Sequence, residues 1–141
     1  MTGTQTIAAI GPHPGLLVGD LLRLEIRGSL TVADVAALQR AVREVLDAHD
    51  SCFLLADLTH MTGLEAEARR LMAQWSKDHT EQVSGVALYG CNFATRALLT
   101  LTLNAIKFLG QQQVPTVFVR DEAEGRAWIE GRRALLPGGA V

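Results

Sequence analysis

Two hydroxyls and one thiol stand where an alternating strand and helix chain most easily does chemistry. Thr59 and Thr62 lie in Asp57-Leu58-Thr59-His60-Met61-Thr62-Gly63-Leu64, a stretch that carries an apolar strand into a helix. A phosphoryl group on either would meet the positive end of the helix dipole and its free N–H donors. The plainer alternative is that one of them caps the first helical turn. Cys91 follows Tyr89-Gly90 at a strand end and precedes Asn92 and a second helix. That position favours a thiolate and makes Cys91 and Asn92 candidate anion ligands through backbone N–H groups. A nucleophile also needs a base, and the four histidines (His13, His49, His60, His79) all fall in other segments. Cys52, inside an apolar strand, reads as a small core residue.

Metal and phosphate-loop chemistry find less. Neither His-Glu-x-x-His nor a Cys-x-x-Cys pair occurs, and His60 near Asp57 is a pairing that chance supplies. The stretch Tyr89-Gly90-Cys91-Asn92-Phe93-Ala94-Thr95 has one glycine and a capping Asn92, short of a phosphate cradle. No metal and no cofactor is expected, and no catalytic residue is assigned.

The elements that must hold these groups are legible from pattern. Leu22, Leu24 and Ile26 alternate with Arg23, Glu25 and Arg27, as in a strand with one wet face. Cys52-Phe53-Leu54-Leu55-Ala56 is continuously apolar up to Asp57, as in a strand covered on both faces. Val83 to Tyr89 and Val114 to Val119 are two more strands, and Pro115 puts the last at an edge or stands at its start. Gly11-Pro12-His13-Pro14-Gly15 is a loop with a short strand on each side. Thr31 caps a helix carrying Val35, Leu38, Val42 and Val45 inward, with Asp34 in its first turn. A second helix runs from about Leu64 to His79, with Leu64, Ala68, Leu71 and Trp75 on one stripe. A last one starts at Asp121 in a box-like Asp121-Glu122-Ala123-Glu124 and ends in Arg132 and Arg133. Strand alternating with helix gives an α/β class: a single domain over residues 1–136 with a flexible tail at 137–141, its mostly parallel or mixed sheet of about 4–6 strands flanked by about 4 helices.

The helix from Asn92 to Leu109 has more apolar surface than one sheet can cover. Stepping about 100° per residue from Ala94, the stripe Ala94, Leu98, Leu101, Ala105 and Phe108 falls on one side, and Leu99, Leu103 and Ile106 centre about 140° away. The first stripe is expected to face the sheet. Leu99, Leu103 and Ile106, with Phe108, are then an interface or ligand-contact surface, unless a neighbouring helix or the N-terminal segment covers them.

Composition narrows the function classes. Thirteen basic against 15 acidic side chains give a net charge of −2 over 141 residues, with a pI of about 6.1, which argues against a nucleic-acid surface. Two cysteines are too few for a disulfide framework, and the N-terminus lacks a signal peptide's basic and apolar regions. No segment reaches the roughly 18 apolar residues of a membrane span. The chain reads as cytoplasmic. With 48% hydrophobic residues, it can bury roughly two-thirds of its unfolded surface without a staple.

One family shares the pattern. Leu55-Ala56-Asp57-Leu58, Glu67-Ala68-Arg69-Arg70, Gly85-Val86-Ala87-Leu88-Tyr89-Gly90 and Glu122-Ala123-Glu124-Gly125-Arg126-Ala127-Trp128-Ile129 occur in the order strand, helix, strand, helix. From Leu21 to Leu136 the chain resembles the STAS domain of bacterial anti-sigma-factor antagonists, and within it the STAS-like branch grouped with CRAL-TRIO lipid-binding domains. The resemblance implies a non-catalytic regulatory or ligand-binding module with a mixed sheet flanked by helices, and the first reading is a module that binds a protein partner and associates as a homodimer or higher oligomer through its apolar third helix. The alternative is a carrier of a small hydrophobic ligand or lipid, with its cavity under the helix that bears Leu99, Leu103, Ile106 and Phe108. In phosphorylatable members a kinase modifies a hydroxyl within Asp-Ser-Ser/Thr-Gly-Leu. Here Thr62, Gly63 and Leu64 match, Met61 stands where the signature has Ser, and the Asp is missing. Thr62 is the implied phosphorylation site and Thr59 the second candidate.

Overall fold

The computed structural model describes residues 5–7, 10–75, 83–108 and 115–135. The side chains of Trp75, Leu103, Ala105, Ile106 and Phe108, the stretch expected to complete the second helix at 76–79, Val114 and the tail at 137–141 lie outside the described part.

Six strands form one sheet: β1 (Gln5–Ile7), β2 (Gly15–Val18), β3 (Leu21–Leu30), β4 (Phe53–Leu64), β5 (Gly85–Tyr89) and β6 (Thr116–Phe118). Their spatial order is their sequence order. β1, β2 and β3 are joined antiparallel, as the tight connection around Gly19 and Asp20 allows, whereas β3 through β6 run parallel. Each parallel step is spanned by a helix: α1 (Val32–His49), α2 (Ala66–Trp75) and α3 (Phe93–Phe108), with α4 (Glu122–Arg133) closing the chain. The sheet is therefore mixed and the domain α/β, as the alternating pattern predicts.

Alternation in β3 and β4 sorts the core into two layers. Leu22, Leu24, Ile26, Leu54, Ala56 and Leu58 bury against Val35, Leu38, Val42 and Val45 of α1, Ala68 of α2 and Leu99 of α3. Leu21, Phe53, Leu55 and Ala87 point the other way, onto Ile129 and Trp128 of α4. Since β4 must be apolar on both faces, its first half carries no polar alternation.

Helix starts follow their caps. Thr31 and Asp34 form a reciprocal capping box at α1, and the Asp121 side chain accepts the Glu124 N–H at α4. Pro115 immediately precedes β6, an edge strand, and its carbonyl accepts the Val86 N–H. α4 is pinned at both ends by ion pairs, Arg23 with Glu122 and Arg133 with Asp20.

Candidate functional site

β4 has two unlike halves. Its pairing with β5 stops at Asp57↔Tyr89, while its pairing with β3 continues to Leu30↔Leu64. Along that extension the register slips twice: Glu25↔Asp57 is followed by Arg27↔His60, and Gly28↔Met61 by Ser29↔Gly63. Each slip inserts an extra β4 residue. The two irregularities contain Thr59 and Thr62, both exposed, as is His60. Bulges of this kind bend a strand and re-aim its side chains.

The first bulge is closed by one carboxylate. Asp57 Oδ1 accepts the Thr59 backbone N–H at 2.9 Å and the Thr59 hydroxyl at 2.6 Å. Gly90, just past β5, lies against the same pair: with φ of 82° it sits in the left-handed region, and a Cβ there would collide with Thr59 Oγ1. Only glycine fits that turn without displacing the threonine. Thr62 stands four residues ahead of the first residue of α2, inside the strand. The expectation that Thr59 or Thr62 starts the following helix is therefore corrected. β3 is long enough to keep β4 extended through Leu64, and the Glu65 N–H bonds to the Leu30 carbonyl.

Asn92 Oδ1 accepts the Thr95 N–H at 2.8 Å and caps α3. Cys91 beside it is half-buried. Burial pushes its thiol up, against a smaller opposing pull from the Arg96 charge, so the helix start does not activate this sulfur. Cys52 is fully buried, its thiol pushed up to about 12 by burial.

Near the α4 start, Glu122 gathers four donors. Arg23 Nε and Nη2 reach Oε1 at 3.0 and 2.6 Å, the Tyr89 hydroxyl reaches the same oxygen at 3.3 Å, and Arg126 Nε reaches Oε2 at 2.9 Å. Burial works to raise the Glu122 carboxyl, but the hydrogen bonds from Arg23 and Arg126 hold it below the usual range. Burial, then the Asp57 and Glu122 charges, push Tyr89 up.

Comparison with known proteins decides the family. The SpoIIAA-like family model matches residues 21–130.

The chain belongs to the SpoIIAA-like family.

No curated protein sequence matches it. Among solved structures it is similar to a protein of the DUF3478 family with a SpoIIAA-like fold from Shewanella loihica PV-4, at 17% identity over 91% of this chain and 94% of that one, with a TM-score of 0.55. It is also similar to the anti-sigma factor antagonist SpoIIAA in its unphosphorylated form, at 7% identity over 91% and 99% of the two chains, with a TM-score of 0.53. Both likenesses concern the fold.

Within this SpoIIAA-like frame α3 is rotated from the sequence expectation, with Leu98 of the expected stripe half-buried against the core. Leu99 is buried in the core shared with α1 and α2, while Leu101, expected to face the sheet, is 66% exposed and Ala94 is exposed with it. Two threonines account for the rotation. Thr95 and Thr102 are buried beside Leu99, and Thr102 satisfies its own hydroxyl by donating to the Leu98 carbonyl at 3.0 Å. Leu99 is thus covered by its own chain. The exposed surface is instead Phe93, 88% exposed, with Ala94, Arg96, Ala97, Thr100, Leu101 and Asn104, and Arg96 is its one charged member among the described side chains. Arg96, exposed as well, places its guanidinium over the Phe118 ring at 4.8 Å.

A buried pair went unread in the sequence. His13 and Asp34 are 1% and 4% exposed, and His13 Nε2 lies 3.0 Å from Asp34 Oδ2. The Arg27 backbone N–H donates to His13 Nδ1 at 2.9 Å, so Nε2 carries the proton given to Asp34. The imidazole stands in for a strand carbonyl beside β3, where β2 has ended. With both ring nitrogens occupied, His13 has no lone pair to offer a substrate. Gly11 packs so close to Asp34 that a side chain there would strike its carboxylate. Nothing in local spacing links position 13 to position 34; only the loop composition and the capping role of Asp34 were visible.

Proposed function

We propose that this SpoIIAA-like chain is a non-catalytic regulatory module that works by binding protein, and that the exposed face of α3 is the surface it uses. The observation that carries this reading is an exposed helix face holding Phe93 and Leu101 beside Ala94, Ala97, Thr100 and Asn104, with one charge, Arg96, on its flank. Large exposed apolar side chains in a charge-depleted patch are the composition of interface centres. Family membership supports the regulatory part, since one structural relative is named an anti-sigma factor antagonist. The unactivated Cys91 and the fully engaged His13 support the non-catalytic part. A hydrophobic-ligand carrier has less support: of its four candidate wall residues, Leu99 belongs to the chain's own core, and the side chains of Leu103, Ile106 and Phe108 lie outside the described residues.

Thr62 is the hydroxyl we assign to modification. It is exposed in the second bulge, whereas a phosphate on Thr59 would sit against the Asp57 carboxylate that now accepts its hydrogen bond. The test is photo-crosslinking in cells, with the reactive side chain at position 101 and, as a control, at the exposed Arg40 of α1. Protein adducts are expected from position 101 above the control, and Thr62→Glu should reduce them. Equal, background-level labelling at both positions overturns the reading.

A further inference from the structure

We infer that His13 is a proton-operated catch: on taking up a second proton its ring lets go of β3 at Arg27 and loosens the projecting half of β4 that carries Thr59 and Thr62. This concerns regulation by acid and stands apart from whatever the α3 face binds.

The turn at 10–14 is fastened to the domain in more than one way. Ile10 is 1% exposed in the core, the Pro14 carbonyl accepts the Glu25 N–H at 2.9 Å, and His13 Nδ1 accepts the Arg27 N–H at 2.9 Å. The first two contacts are indifferent to pH. A neutral imidazole donates at one nitrogen and accepts at the other, as this one does, whereas a protonated imidazole donates at both. A second proton would set one N–H against another in a site that is 1% exposed, where solvent takes neither. Flipping the ring brings no relief, because either nitrogen then donates.

The charges around the ring decide which bond gives way. On the α1 side, Asp34 Oδ2 lies 3.0 Å from Nε2. Burial works to raise that carboxyl, but the Thr31 backbone N–H, the His13 ring and the Thr31 hydroxyl hold it below the usual range, so it stays ionised in mild acid. It would grip an imidazolium more firmly than a neutral ring. On β3 the Arg27 and Glu25 side chains pair with each other at 2.9 Å, and on β4 His60 stands opposite Arg27 in register. Residues 10–12 and 14–18 carry no charge. The ring therefore stays with α1 and parts from β3.

Arg27 is the point where that loss matters. It follows the first register slip, across from the bulge that holds Thr59, and β2 has already ended at Gly15↔Leu24. The imidazole is the neighbour that β3 has there in place of a strand. The fastened form has no place for the second proton and the open form has one, so acid favours opening. Linkage sets the size at about tenfold for each pH unit below about 6.5, the ordinary imidazole value.

Amide hydrogen exchange on the intact protein, resolved by residue and corrected for the ordinary pH dependence of exchange, tests the catch. From about pH 7.5 to about pH 5.5, protection at Arg27 should fall about tenfold, with Thr59 to Thr62 following, while Leu55 and Ala87 keep theirs. His13→Gln retains a donor and an acceptor but cannot titrate, and it should abolish the fall; His60→Gln should leave it intact. Equal protection at Arg27 at both pH values overturns the proposal, and so does a fall that survives in His13→Gln. Should that variant not fold, the ring nitrogen shifts of the parent protein decide. A fall that tracks protonation of Nδ1 supports the catch, and a fall with Nδ1 still unprotonated overturns it.

Discussion

The two halves of β4 solve the same backbone problem by different means. From Phe53 to Asp57 the strand has a neighbour on each side and a core on each face, so its polar groups are met by other strands. From Leu58 to Leu64 it has only β3, one buried face and two bulges. There, side chains replace ladder partners: Asp57 takes the Thr59 N–H, and across the ribbon His13 takes the Arg27 N–H. A strand with one open edge invites unwanted pairing, and bulges are a known way to blunt it. The first half is sheltered, and the second leaves Thr59, His60 and Thr62 exposed.

Substitutions should separate the halves by size of effect. In the sheltered half, Leu55→Ala removes a side chain with no exposure that packs on α4, and about 2–5 kcal/mol of stability should be lost in urea unfolding. A loss near that of a surface change would mean this layer is loosely packed. At the boundary, Gly90→Ala forces a left-handed turn and a clash with Thr59, which should cost about 1–3 kcal/mol. Part of that loss should return in the Gly90→Ala, Thr59→Ala double variant, and strict additivity would show that the two residues do not touch.

The smallest effect concerns pH, at the flank of the projecting half. Burial works to raise the Asp34 carboxyl, but the Thr31 backbone N–H, the His13 ring and the Thr31 hydroxyl outweigh it and hold it below the usual range. A carboxyl lowered in the folded state stabilises fully above its unfolded value, near pH 3.9, and loses that contribution as pH falls through the folded value. Unfolding midpoints measured between about pH 6 and about pH 2 should thus fall less steeply for Asp34→Asn than for the parent. Identical slopes would assign the acid sensitivity to other carboxyls, Glu122 first.

What the sequence disclosed divides along the same line. The apolar run before Asp57, the alternation in β3, the Thr31 and Asp121 caps and the edge position of Pro115 each depend on residues within a few positions of one another, and all are found. The bulges were hidden because they express a length mismatch between β3 and β4, which no window on β4 alone contains. The His13–Asp34 pair was hidden because its partners are 21 residues apart. The facing of α3 was misread because threonine is ordinarily counted as outward, and Thr102 turns inward by bonding its own helix. Hence Leu99, read as surplus, is core, and Leu101, read as facing the sheet, lies open.

Strand order carries a final consequence. In sheets where the order of strands reverses, helices diverge to opposite faces and a crevice opens between them that commonly receives a small molecule. Here space and sequence run together from β1 to β6, and no reversal splits the sheet. On the protein-binding reading proposed above, recognition would use rims and helix flanks, where a few substitutions retune partner choice while the layers beneath are left alone.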